Sequence, residues 1–371
     1  MKTSSSVLRR AGVVAGAVVL SSVLFTPAPA EAAPGYRVSS VSAGVTSGGE
    51  LAIDQGRSRL FITDNNEAFR TTGSDVIPSG KPVTPRVTVF STQSKKPVRG
   101  IDLSNQPYGL MMIGDKGLIP TPQVPDGIAL DTKRSRVLTT NSHGNGVTLF
   151  GMDAKAVTPS DFTAMPDEHP MGAVVNPATG RFYVGLNGSG RVAVIDGATG
   201  RRIKDVPNLN KASFLDVDAS RNRLYVGNAD YANKKDNFVA VVDLKTEKVV
   251  KRIKTPSNSR PKVDPATGRV WAASFDTGKI SIIDPDSLTI EKTVDTGTSP
   301  AKVAIDGKRR RVYTANLQKK TITVLDADSG ALLTTLQVGD PVHTVVVDEG
   351  TGVVYGTQHI GDRLTVVTPR G

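Results

Sequence analysis

Short apolar runs repeat along this chain. Each ends in an acidic or amide residue, and a second apolar run follows at a fixed offset. The ends of the first runs are Asp54, Asp131, Asn176, Asp218, Asp264, Asp306 and Asp348. Five residues later stand Arg59, Arg136, Arg181, Arg223, Arg269 and Arg311, with Val353 in the seventh unit. Ten residues later stand Asp64, Asn141, Leu186, Asn228, Ser274, Asn316 and Gln358. From Asp131 onward these anchors lie 42 to 46 residues apart. A period of that length, built from short β-rich runs, predicts a β-propeller with one blade per unit.

The unit around Asp306 shows the expected strands. Ala301 to Ile305 is an inner strand, and the segment from Asp306 to Arg310 is a turn. Arg311 to Asn316, Thr321 to Asp326 and Ala331 to Val338 follow as second, third and outer strands. The turns have chemistry to match. Asn176-Pro-Ala-Thr-Gly180, Asp264-Pro-Ala-Thr-Gly268 and Asp196-Gly-Ala-Thr-Gly200 each offer a capping side chain and a closing glycine for the left-handed position. The repeated acid and arginine flank one hairpin mouth, so they read as local pairs or caps rather than as catalysts. The last unit stops after its third strand. Tyr36 to Ser42 alternates like a strand and precedes the first anchor, so it is expected to complete that blade and close the ring. The expected fold is all-β: a seven-bladed propeller of four-stranded antiparallel blades spanning 36–371, its last blade closed by the N-terminal strand.

At this point the chain resembles a known family. Leu224-Tyr-Val-Gly-Asn228, Val312-Tyr-Thr-Ala-Asn316 and Val137-Leu-Thr-Thr-Asn141 look like a Tyr-Val-Thr-Asn repeat. With the acid closing the third strand at Asp243 or Asp196, they are similar to the YncE-like, YVTN-repeat seven-bladed propellers. The motif drifts at Leu186 and Ser274, and the first unit is enlarged. The resemblance implies an exported binding protein, and single-stranded DNA as one candidate ligand.

The N-terminus and the charge bear on location and partners. Lys2, Arg9 and Arg10 precede an apolar stretch, Ala11 to Leu24, and Ala28-Pro29-Ala30 and Ala30-Glu31-Ala32 offer small-residue cleavage sites. Residues 1–32 therefore read as a signal peptide, and the mature protein as secreted, monomeric and without a membrane span. The formal charge of +11 becomes +9 without Lys2, Arg9, Arg10 and Glu31. A basic exported protein suits an anionic small molecule, single-stranded DNA or a cell-wall polymer, besides being simply well solvated. The absence of cysteine excludes disulfides, thiol nucleophiles and thiolate metal sites.

Propeller geometry assigns the candidate chemistry to one face. Loops between strands two and three, and between blades, share the face where ligands usually bind. His143, His169, His343 and His359 all map there, as do the long segments 65–86 and 104–126. Blades seven, one, two and three are neighbours, so these features form one sector, with Asp126 and Glu50 nearby. His143 and His343 must then share a face. Opposite lie Arg260 and Lys262 on the inner strand of blade five and Lys302 on that of blade six. Charges there need a partner or an aqueous channel, and Asp216 is the expected partner of Lys262. Together these cations suit a phosphate or carboxylate. Asn141 and Asn316, with Asn228 and Gln358, end second strands below the loops, where amides serve loop backbone or a ligand. Phe69, Tyr108, Tyr231 and Phe275 are available for base stacking, whereas Trp271 belongs to the core.

No metal site or cofactor is predicted, since the histidines lack close spacing. No nucleophile elbow, His-Glu-x-x-His or phosphate-cradling glycine loop occurs, and Ser259-Arg-Pro-Lys262 lies on a strand rather than opening a helix. The leading expectation is a non-catalytic binding propeller. The alternatives are a lactonase-type hydrolase or lyase using His343, His169, Asp126 or Glu50, and a cell-wall scaffold.

Overall fold

The computed structural model describes residues 35–64, 69–72, 75–78, 84–106, 109–112, 118–121, 125–230, 237–358 and 361–370. Seven four-stranded antiparallel sheets form a ring. The inner strands are Gly48–Asp54, Gly127–Asp131, Pro170–Val175, Ala212–Asp218, Ser259–Val263, Pro300–Asp306 and Val342–Asp348, in blades one to seven. Each packs beside the next, and the seventh returns to the first. The anchors stand at or just beyond the ends of these strands, as their periodicity predicts. No helix among the described residues is long and apolar enough to cross a membrane. The proposed signal peptide lies outside the described residues.

Ring closure follows the expected route. Tyr36–Ser42 pairs antiparallel with Arg363–Pro369, from Tyr36 opposite Pro369 to Ser42 opposite Arg363. The final blade thus takes its outer strand from the N-terminal side of the chain, which covers an edge that would otherwise be unpaired. The two long segments of the enlarged first unit are not plain loops. Phe69–Thr72 pairs with Asp75–Pro78, and Gly109–Met112 pairs with Leu118–Thr121, giving two additional hairpins.

The blades adhere through large side chains in the middle of the second strands. Seven residues after each anchor stand Phe61, Leu138, Tyr183, Tyr225, Trp271, Tyr313 and Tyr355, all essentially inaccessible. Trp271 belongs to one apolar cluster with Val303 and Ile305 of blade six, as expected for a core residue. Burial of such a side chain contributes about 2–3 kcal/mol. One position per repeat therefore supplies much of the adhesion between neighbours.

The repeated acid and arginine work differently from the expected local pair. In blades one, two, four and six the anchor carboxylate caps its own turn and meets an arginine three residues on, not five. Asp306 accepts the Arg309 backbone N–H at 2.9 Å and its guanidinium at 3.0 Å. Asp54–Arg57, Asp131–Arg134 and Asp218–Arg221 repeat this pair. Blade five has Thr267 at that position, and Asp264 is paired instead by Arg310 of blade six at 2.9 Å. The arginines five residues on mostly reach the next blade. Arg59 meets Asp153 at 3.1 Å, Arg181 meets Glu247 at 3.0 Å, and Arg269 donates to the Asp328 carbonyl at 2.9 Å. Arg311 departs from this, meeting Asp326 of its own blade. The arginines three residues on reach the next blade as well: Arg134 donates to the Pro177 carbonyl at 3.2 Å and Arg309 to the Glu349 carbonyl at 3.0 Å, so both sets join neighbouring blades.

Candidate functional site at the channel mouth

The inner strands surround a central cavity of about 980 Å³, the size class of small-molecule sites. Several of these strands begin with a register shift, in blades one, three, four, six and seven. Such bulges re-aim the first residues of a strand. His343 sits in the shift between Val342 and Thr344 and lines the cavity.

His143, His169, His343, Asp126, Glu50, Arg260, Lys262 and Lys302 all line this one cavity. His143 and His343 therefore share a face, as the site argument requires. His359 lies outside the described residues, as do the side chains of Phe69, Tyr108 and Tyr231. Asn141 and Asn316 do not reach the cavity. Both are inaccessible and bonded inward: Asn141 donates to Thr148 Oγ1 at 3.2 Å, and Asn316 donates to Thr321 and Thr323 at 3.0 and 2.8 Å. Asn228 likewise accepts the Phe238 N–H, and Gln358 donates to Asp340. These amides brace the loops rather than face a ligand.

The two sectors of the sequence map meet in the channel. Lys302 of blade six bridges to Glu50 of blade one, Nζ to Oε2 3.2 Å, in front of blade seven, whose Thr344 donates to the same carboxylate at 3.0 Å. Lys302 and Glu50 retain 26% and 21% side-chain exposure, and both line the channel. Burial holds the Lys302 ammonium below the usual lysine value; Glu50 opposes this, while Arg260 and Lys262 add to it. For Glu50, burial pushes the carboxyl up, but Lys302, His343 and Thr344 outweigh it and leave the carboxyl below its ordinary value. Lys262 pairs with Asp216 at 3.1 Å, as expected, and Asp216 also accepts the Val263 N–H at 2.7 Å.

Arg260 lines the channel and is held by several contacts. It donates to the Ala301 carbonyl at 2.7 Å, and its guanidinium carbon lies 4.3 Å from the Phe214 ring centre and 5.5 Å from that of Phe275. Lys302 Nζ lies 5.3 Å from the same Phe214 ring. Two cations thus share one aromatic ring. Phe214 carried no sequence signal beyond its offset from Asp218. Its role depends on blades five and six arriving beside it.

The histidines form a pair rather than a scatter. The rings of His143 and His169 are 5.3 Å apart and steeply inclined, at 72°. His169 has a left-handed backbone, φ 44°, and its N–H is held by Asn145 Oδ1 at 3.0 Å. Asp126 accepts the Ser142 N–H at 2.8 Å and also its hydroxyl, tying down the loop that carries His143. Burial lowers the His169 pKa, His143 lowers it further, and Asp126 opposes both. Among the described residues, no group of three or more histidine, aspartate or glutamate side chains is placed to hold a metal ion.

The fold and this site define a seven-bladed β-propeller with a charged, ligand-sized chamber at one mouth. Over 190 residues the chain is 24% identical to the uncharacterized protein YncE of Salmonella typhi and to that of Salmonella typhimurium strain LT2. The match covers 51% of this chain and 41% of each relative, so less than half of those proteins is spanned. No family model matches. Among solved structures, the Cps50 (Swd1) β-propeller domain of Myceliophteria thermophila superposes with a TM-score of 0.67 at 10% identity, covering 92% of this chain and all of that one. Hydrazine synthase of Kuenenia stuttgartiensis gives 0.65 at 14% identity, covering 88% and 97%. Identities that low bear on the fold alone. The chain is thus a seven-bladed propeller with weak sequence similarity to YncE over about half its length.

Proposed function

We propose that this chain is an exported, non-catalytic binding propeller whose channel mouth holds the acid group of a small organic anion. The observation that carries the reading is the placement of Arg260 and Lys302 on the single ring of Phe214, inside the channel. Like charges gathered out of bulk water repel: burial, with Arg260 and Lys262 adding to it and Glu50 opposing, holds the Lys302 ammonium below the usual lysine value. A carboxylate or phosphate seated between them relieves it and gains charge-assisted hydrogen bonds. Glu50 and Asp216 already neutralise part of the charge, so the site suits a small anion better than a long polyanion. The basic, apolar N-terminal pattern supports export.

The test is titration calorimetry with phosphate, acetate and succinate at low and high salt. Binding that weakens with salt and falls at least tenfold in Arg260→Gln supports the reading. Equal affinity in Arg260→Gln and wild type counts against it.

A hydrolase or lyase of lactonase type is the second reading, and the His143–His169 pair favours it. Glu50 is engaged by Lys302 and Asp126 by Ser142, so His169, whose burial favours the uncharged imidazole, is the better-placed general base. Turnover of a lactone panel that His169→Gln abolishes supports this. Absence of turnover across the panel leaves the binding reading.

A further inference from the structure

The channel mouth is uneven in a way the repeat makes measurable. Four residues before the anchors, blades four to seven and then one carry Phe214, Arg260, Lys302, Thr344 and Glu50. These five are joined. Phe214 touches Arg260 and Lys302, Lys302 meets Glu50, and Glu50 meets Thr344. Blades two and three carry Gly127 and Gly172 at the same position.

The glycines are demanded by packing. A Cβ on Gly127 would stand 2.4 Å from the Met171 carbonyl oxygen, and one on Gly172 would stand 2.5 Å from that of Ser213. Both positions must therefore stay bare, and the arc of the channel beside them has no side chain at this level. Two residues deeper the wall on that side is Ala129 and Val174, where blades four and five have Asp216 and Lys262. At these two levels the wall of blades two and three is small and apolar, although His143, His169 and Asp126 of the same blades also line the cavity, and it faces the side of Arg260 and Lys302 across the channel.

Resting on the anion-binding reading, we infer that the ligand is an organic acid with a compact apolar body. Its acid group meets Arg260 and Lys302, and its body fills the arc beside Gly127, Gly172, Ala129 and Val174. Apolar surface placed in that arc leaves water, whereas a bare inorganic anion would leave the arc solvated.

The experiment is calorimetry on the full-length mature protein with four probes: acetate, phosphate, benzoate and benzamide. Benzoate is expected to bind at least tenfold more tightly than acetate or phosphate, and benzamide at least tenfold more weakly than benzoate. Val174→Phe, which fills the arc, is expected to bring the preference for benzoate over acetate close to one, with its melting curve showing that the protein is folded. Phosphate or acetate binding as tightly as benzoate overturns this inference and leaves the anion reading intact. Benzamide equal to benzoate overturns both the acid contact and the inference, and no binding of any probe at millimolar concentration overturns both readings. Retention of the benzoate preference in folded Val174→Phe places the body elsewhere and also overturns the inference.

Discussion

The two faces of this propeller are built on opposite plans. On the hairpin face, similar contacts recur: in four blades a buried carboxylate caps its turn and pairs with an arginine three residues on, and most arginines five residues on tie to the next blade. At the channel mouth the blades differ. One position holds glutamate, glycine twice, phenylalanine, arginine, lysine and threonine around the ring. A contact that every blade makes serves what every blade needs, which is adhesion to its neighbour. Departures from the repeat are free of that duty, and the candidate chemistry of the molecule gathers there.

Four perturbations sharpen the contrast, in falling order of effect. Deleting residues 36–42 exposes the edge of Arg363–Pro369 and opens the ring. The cooperative unfolding transition is expected to disappear and aggregates to form, as read by circular dichroism and size-exclusion chromatography. A sharp transition in the deleted protein contradicts the closure argument. Trp271→Ala removes a buried adhesive side chain and is expected to cost about 3–5 kcal/mol in urea denaturation. Asp264→Ala leaves the Ala266 N–H and the Thr267 hydroxyl without their acceptor and Arg310 with Asp328 alone, and a loss of about 2 kcal/mol is expected, moderated because Arg310 keeps Asp328 and is partly solvated. Arg260→Ala, at the mouth, is expected to change stability by no more than about 1 kcal/mol while weakening anion binding at least tenfold. If Arg260→Ala costs as much stability as Trp271→Ala, the division between an adhesive face and a binding mouth fails.

Acid separates the faces as well. Burial pushes the Asp264 carboxyl up, but Arg310, Thr267 and the Ala266 N–H outweigh it and hold it below the usual range; Asp218 behaves likewise through Ser220 and Arg221. A depressed carboxyl contributes stability that is complete above its unfolded value, about 4, and is lost as pH falls through the folded value. Melting temperature should therefore fall below about pH 4. Ligand binding follows the opposite limb. Lys302 deprotonates below the ordinary lysine value, so anion affinity should decline on the alkaline side before free lysine titrates.

How much of this was legible in the chain follows from what the period can carry. The seven anchors and the closing strand could be read directly, because blade geometry places each offset at a known height. Lys262 with Asp216 was readable for the same reason: both lie two residues before anchors of adjacent blades. Shared placement of His143, His169 and His343 in one cavity also followed from the strand order. Lys302 with Glu50 was not readable, since they belong to blades six and one and meet across the face of blade seven. The contact between His143 and His169 was missed for a related reason. Each lies in a loop, and loop paths have no period to extrapolate. Asn141 and Asn316 showed the reverse error, an amide ring at the right height whose side chains turn inward to threonines.

By itself the sequence determined the number of blades, their strand order, the strand that closes the ring and the residues at each height around the channel. Those properties are local or periodic, and alternation with turn chemistry is enough to specify them. Only the tertiary structure decided which of those residues touch. Closure of the ring brings Glu50 to Lys302 and sets Phe214 beneath two cations. Side-chain direction at an inner strand depends on how closely the next blade approaches, which is why a bare glycine stands at one position of the ring and a guanidinium at its equivalent.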